Sequence, residues 1–197
     1  DAVGPFVALI ATFIYFYGRE NLKYNICLAA TAEEEISGNN GIELILPELG
    51  KIDFAIVGEP TKMDLAIAEK GLLVIDCINH GRSGHAAREE GDNAIYKALK
   101  GIEWFRSYSF PKVSEHLGAV KMSVTIIKAG TQHNVVPDKC EFTVDIRVTE
   151  KYTHEEIIET IKKNVLCDVN PRSTRLRSSS ISEGHPFVKA GIELGRK

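Results

Sequence analysis

The hydrophobic period changes partway along this chain, and that change limits the folds open to it. In segments 25–30 (Asn-Ile-Cys-Leu-Ala-Ala) and 54–57 (Phe-Ala-Ile-Val) the apolar residues run on without alternation. That is the pattern of strands covered on both faces in a mostly parallel sheet. Beyond residue 119 the period is two. Val120, Met122, Val124 and Ile126 alternate with Lys121, Ser123 and Thr125, and Cys140, Phe142, Val144 and Ile146 alternate with Glu141, Thr143, Asp145 and Arg147. Such segments predict half-exposed antiparallel strands. The chain therefore reads as two domains of different construction.

The second domain can be followed element by element. A strand over Leu72–Ile78 precedes a helix beginning at Asn93, with Ile95, Ala98, Leu99, Ile102 and Phe105 as its apolar stripe. The two alternating strands follow. Thr153-His154-Glu155-Glu156 has the form of a capping box, opening a helix that buries Ile157, Ile158, Ile161 and Val165. Ser173–Ser180 is expected to supply the last strand. The order is then βαββαβ, a ferredoxin-like α+β unit. The helical stretch His185–Gly195 has no strand partner inside that unit, so 181–197 is assigned with 1–70 to the first domain, and 71–180 becomes an insertion.

Composition removes several classes of function. The 197 residues are 44% hydrophobic and 26% charged, with a net charge of -3 and both signs interspersed. No field of one sign is available to hold a nucleic-acid backbone or an anionic membrane. The apolar run Phe6–Tyr17 is shorter than the roughly 20 residues a spanning helix needs; it predicts a buried helix closed by Gly18. Cys27, Cys77, Cys140 and Cys167 form no CxxC pair and sit among apolar neighbours, as buried thiols in a reducing cytoplasm would.

Each of the two continuous apolar segments runs into carboxylates, Glu33-Glu34-Glu35 after the first and Gly58-Glu59-Pro60 after the second. In open α/β sheets ligands bind at the carboxyl ends of strands. Glu33–Glu35 alone fits a solvated acidic turn equally well. Glu59, held between Gly58 and Pro60, and Asp1, ahead of the apolar helix, give the cluster more weight. Convergent carboxylates cannot all ionise cheaply without a cation, and two divalent metals would neutralise them. Of an adjacent pair, one can bind metal while the other moves protons. His80, His85, His116, His133, His154 and His185 show no ligand spacing such as HxxxH, so this chain alone does not complete a zinc site.

Thr31-Ala32-Glu33-Glu34-Glu35-Ile36-Ser37-Gly38, Val57-Gly58-Glu59-Pro60-Thr61, Gly84-His85-Ala86-Ala87, Asn134-Val135-Val136-Pro137 and Asp145-Ile146-Arg147 together resemble successive motifs of the M20 metallopeptidase family, on the side of the acetylornithine deacetylases and succinyl-diaminopimelate desuccinylases. The resemblance implies a partial zinc-peptidase-like α/β catalytic domain carrying an inserted ferredoxin-like lid and dimerisation domain. It implies two metal ions, zinc or cobalt, with Asp1 bridging them and Glu35 and Glu59 each binding one. Glu34 matches the general base that generates the attacking hydroxide. His85 matches the histidine that polarises the scissile carbonyl, commonly across a homodimer, and Asn134 and Arg147 match residues that hold the substrate.

The implied reaction is hydrolysis of an N-acyl amino acid, N-acetyl-L-ornithine or an N-acylcitrulline, in arginine biosynthesis in the cytoplasm. Succinyl-diaminopimelate and dipeptides are the other substrates to consider. The family's upstream His-x-Asp segment and a downstream histidine ligand are absent, so the chain is expected to be a piece cut at both ends and inactive alone, keeping the fold and dimer surface. Two residues carry a plain second reading from their own surroundings: Arg147 as a surface partner of Asp145, and His85 as a loop histidine. An RNA-binding module shares the βαββαβ order, but Glu141, Thr143, Asp145 and Arg147 offer no aromatic stacking platform.

Overall fold

A computed structural model describes residues 2–35, 38–62 and 64–195. The chain's contacts fall into two units, Asp1–Leu65 and Ala66–Lys197.

In the first unit helix α1 spans Val3–Phe16. It ends where expected: Tyr17 N–H reaches back to Phe13 O at 2.9 Å, and Gly18 turns the chain out at φ 73°. Helix α2, Ile42–Leu49, closes at Gly50 with φ 66°. Two expectations are corrected here. None of α1 is buried, Val7 being 57% and Ile14 66% exposed. Segments 25–30 and 54–57 form no strand and have no β partner among the described residues, and Ile56 and Val57 are 70% and 77% exposed. The physical reason is the same for all three. A continuous apolar pattern shows what a segment needs on its flanks and faces, and the described residues of this unit form two helices and no sheet to supply it. What packing there is joins these pieces locally. Tyr24 meets Phe54 edge-on at 5.7 Å, and a Cβ on Gly58 would lie 2.9 Å from Leu9 Cδ1.

The second unit is built as β1 (Ala68–Glu69), β2 (Gly71–His80), β3 (Gly84–His85), α3 (Ala94–Ser107), β4 (Lys121–Ala129), β5 (Val135–Val136), β6 (Lys139–Val148), α4 (His154–Asn164), β7 (Asp168–Pro171), β8 (Ser179–Ser180) and α5 (Pro186–Gly195). Its main sheet runs β4-β6-β2-β7 with every neighbour antiparallel. That strand order, with α3 after the first strand and α4 after the third, is the ferredoxin-like arrangement expected.

Register explains the core. β2 and β6 pair Leu73 with Ile146, Ile75 with Val144 and Cys77 with Phe142, all on one face and all at most 1% exposed. Onto that face pack Ala94, Ala98 and Phe105 of α3 and Ile157 and Ile161 of α4. Each fully buried aliphatic side chain contributes about 1.5–3 kcal/mol, so this shared layer holds the unit together. Local signals fix the helix starts. The Asn93 side chain accepts the Ile95 N–H at 2.9 Å, and Thr153 and Glu156 form the reciprocal capping box.

Three details differ from expectation. The last strand of the sheet is Asp168–Pro171; Ser173–Ser180 contributes only β8, which pairs with β1. A bulge between Val124 and Ile126 sets Ile126 opposite Thr143, on the face away from the helices, so Ile126 is exposed where strict alternation would bury it. Leu99 lies outside the buried stripe of α3 and is exposed. Segment 181–195 joins this unit through α5, with Ile181 N–H bonded to Ile67 O at 2.8 Å.

Candidate functional site

The loop that leaves β2 carries two of the expected site residues to one place. Gly81 N–H bonds Asp138 O at 2.7 Å, and Arg82 and Asp92 exchange both backbone hydrogen bonds at 2.9 Å. Gly84 and His85 then pair with Val136 and Val135. Ala86 N–H donates to the Asn134 carbonyl at 2.9 Å, and Ala94 N–H to Pro137 O at 3.0 Å. Glycines permit the close approaches. A Cβ on Gly81 would collide with the Asp92 carbonyl oxygen, and one on Gly91 would meet three carbons of Val136 at 3.0 Å.

His85 and Asn134 are thus fixed side by side by backbone pairing, with both side chains exposed. The His85 ring is also oriented. Its Nδ1 accepts the Ala87 N–H at 3.1 Å, and Arg88 N–H closes the turn onto His85 O at 2.8 Å. With Nδ1 occupied as an acceptor, a neutral imidazole carries its proton on Nε2. His85 therefore presents an N–H donor, the group needed to polarise a carbonyl. Sequence reasoning found His85 and Asn134; it missed the part played by Ala87, and only the Gly84-His85-Ala86-Ala87 turn could have signalled it.

Arg147 is placed elsewhere. Nε and a terminal nitrogen bond the two Asp145 oxygens at 2.9 and 3.1 Å, so the guanidinium fork is engaged by its neighbour. It lies on the sheet face away from the helices, opposite Leu72, whereas the loop bearing Asn134 enters β6 at Lys139. Eight residues of strand span roughly 26 Å at 3.3 Å each. Within this unit Arg147 is not part of the His85–Asn134 pair.

The same outer face holds a second charged group. Arg172 grips Asp76 twice, at 2.7 and 2.9 Å, and Thr143 Oγ1 bonds Asp76 at 2.8 Å. The Arg172 hydrogen bond holds the Asp76 carboxyl below its ordinary range, partial desolvation opposing it. Single-strand periodicity carries no sign of this network, because its members come from β2, β6 and the residue just after β7.

Of the carboxylates, Glu34, Glu35 and Glu59 are exposed, and Asp1 lies outside the described residues. Glu33, given no role from sequence, takes a positive φ of 62° and bonds the backbone and side chain of Asn40 at 3.0 and 3.1 Å, tying the acidic loop to the start of α2. Among the described residues no group of three His, Cys, Asp or Glu could hold a metal ion. M20 metallopeptidases are generally dinuclear zinc enzymes; these residues by themselves do not make up such a centre.

The strand order makes the unit ferredoxin-like, and comparison with known proteins agrees with that fold. The family model described as the peptidase dimerisation domain matches residues 67–166. The chain belongs to the M20 peptidase family. It is similar to the acetylornithine deacetylase of Myxococcus xanthus, with 28% identity over 159 residues, covering 76% of this chain and 42% of that protein. It is also similar to the succinyl-diaminopimelate desuccinylase of Paracoccus denitrificans, with 26% identity over 176 residues, covering 84% and 46%. The chain thus spans less than half the length of these two relatives. Among solved structures, a tripeptidase from Staphylococcus aureus superposes with a TM-score of 0.61 at 21% identity, over 84% of this chain and 46% of that one, which shows the shared fold. Among the described residues no helix is long and apolar enough to cross a membrane.

Proposed function

We propose that the chain is part of an M20 amidohydrolase that cleaves the amide bond of an N-acyl amino acid, with N-acetyl-L-ornithine or an N-acylcitrulline as substrate. The supporting observation is the oriented His85 ring beside Asn134. An Nε2–H aimed at the scissile carbonyl stabilises the oxyanion as it forms, and loss of one such donor costs about 10²–10³ in kcat. Asn134 holds the amide, and because Arg147 lies far from that pair within one unit, it is the Arg147 of the second copy in a homodimer that, once released from Asp145, grips the substrate carboxylate in the bidentate manner guanidinium favours. The similarity to an acetylornithine deacetylase supports the choice of substrate, and with it a place in arginine biosynthesis in the cytoplasm.

The remaining assignments belong to the same proposal: Glu34 as general base, Asp1, Glu35 and Glu59 as metal ligands, two zinc ions as cofactor, and a homodimer formed through 71–180. So does the assignment of 1–70 and 181–197 to a partial catalytic domain, although contacts within this chain group 181–195 with the second unit.

Hydrolysis of N-acetyl-L-ornithine, N-succinyl-diaminopimelate and a dipeptide should be compared for this chain and for the complete product of its gene. The highest kcat/KM on N-acetyl-L-ornithine supports the reading; a preference for the succinylated substrate or the dipeptide moves the protein to a neighbouring activity, and no turnover of any of the three refutes it.

A further inference from the structure

Two cysteines that play no part in the hydrolytic reading lie on the core side of the junction between β2 and β7. Cys77 is in the middle of β2, fully buried and opposite Val169 of β7. Cys167 immediately precedes β7, two residues before Val169, and by the two-residue period of a strand faces the same side of the sheet. It is half-buried and packs against the core cluster that contains Cys77. Its neighbours hold it there. Asn79 Nδ2 donates to Leu166 O at 3.0 Å, and Asp168 pairs with Ile78.

We propose that Cys77 and Cys167 are a redox-active pair, which a hydroperoxide converts to a disulfide joining the edge strand β7 to β2.

The chemistry divides between the two sulfurs. Each thiol alters the acidity of the other. Cys77 is pushed well above the ordinary thiol range by Cys167 and by burial. Cys167 is the more acidic, because the Cys77 S–H stabilises its thiolate; burial and the charge of Asp168 oppose this. Thiolate character and access select the sulfur that meets an oxidant, and Cys167 has both.

Its thiolate attacks one peroxide oxygen and the O–O bond breaks. The oxygen left behind takes a proton and departs as water or an alcohol, leaving a sulfenic acid on Cys167. The Cys77 sulfur then attacks the Cys167 sulfur, the S–O bond breaks, and the departing hydroxide leaves as water with the Cys77 proton. Two thiols lose two electrons in total and the peroxide gains them. Closing the bond shortens the sulfur contact to about 2 Å, a movement that a four-residue edge strand can absorb. Cys140 provides an internal control, since it is fully buried, its thiol is raised chiefly by desolvation, and no partner thiol lowers it.

The test uses the reduced full chain, treated with an equimolar amount of hydrogen peroxide, alkylated without reductant, digested and mapped by mass spectrometry. The expected result is loss of two of the four thiols, a single cross-linked peptide pair joining Cys77 to Cys167, and reversal by dithiothreitol. C140S should behave as the parent and C167S should form no cross-link. Hydrogen exchange at the amides of 168–170 should slow in the oxidised form. A sulfinic acid on Cys167 with Cys77 still alkylated after unfolding, or a cross-link through Cys27 or between chains, overturns the proposal. The mapping on the parent chain is decisive even if C167S folds poorly. The outcome does not depend on which amide the enzyme cleaves.

Discussion

Arg147 turns one edge of its guanidinium, Nε and a terminal nitrogen, onto Asp145, two residues back on the same strand and the same face. A group proposed to bind a substrate carboxylate is thus held by a resident one. Exposed pairs of this kind contribute about 0–1 kcal/mol, little enough for a substrate to displace. D145N should therefore lower KM for N-acyl amino acids several-fold, while R147A raises it by about ten- to a hundred-fold, with kcat changing less in both cases. Steady-state kinetics on N-acetyl-L-ornithine reads this, and an analogue with an amide in place of the carboxylate should be insensitive to either change.

For His85 the expected defect is in turnover. H85A should lower kcat by about 10²–10³ with KM little changed. Because the side chain is exposed, thermal unfolding should stay within about 0.5 kcal/mol of the parent. A large stability loss would show that the ring serves the loop instead.

Asp76 predicts an acid dependence. Its carboxyl is lowered in the folded state by Arg172, so the stability it contributes is present above the unfolded carboxylate value of about 3.9 and is lost as pH falls through the folded value. Urea titrations should show D76N less stable than the parent at neutral pH. The difference should shrink below about pH 4 as the parent's Asp76 protonates.

Core and cap should separate by size. I161A removes a fully buried side chain and should cost about 2–5 kcal/mol. T153A removes one hydrogen bond of the capping box and should cost about 1 kcal/mol. Both read out as shifts in the urea midpoint at constant slope.

Much of the second unit was legible because its signals are local. Alternation over Cys140–Ile146, the Thr153–Glu156 box and the start of a helix at Asn93 each depend on a few adjacent residues, and all three appear as read, Asn93 serving as the cap. β7 was missed because four residues with a single buried side chain, Val169, give periodicity nothing to act on. The segments at 25–30 and 54–57 failed for another reason, since buried strands are defined by neighbours and their own residues cannot supply those. At the site, Gly84-His85 and Asn134 were legible as motifs, while the hydrogen bond that sets the tautomer was not, because a backbone N–H leaves no mark in sequence.

The bulge in β4 also governs association along that strand. β4 closes one side of the main sheet, leaving its outer backbone groups without a strand neighbour among the described residues. Its extra residue, between Val124 and Ile126, offsets the two halves of the strand against each other. A straight strand laid beside it can match the hydrogen-bonding phase of Lys121–Val124 or of Ile126–Ala129, but not both. A strand added at this edge can therefore keep its hydrogen-bonding phase for only about four residues at a time.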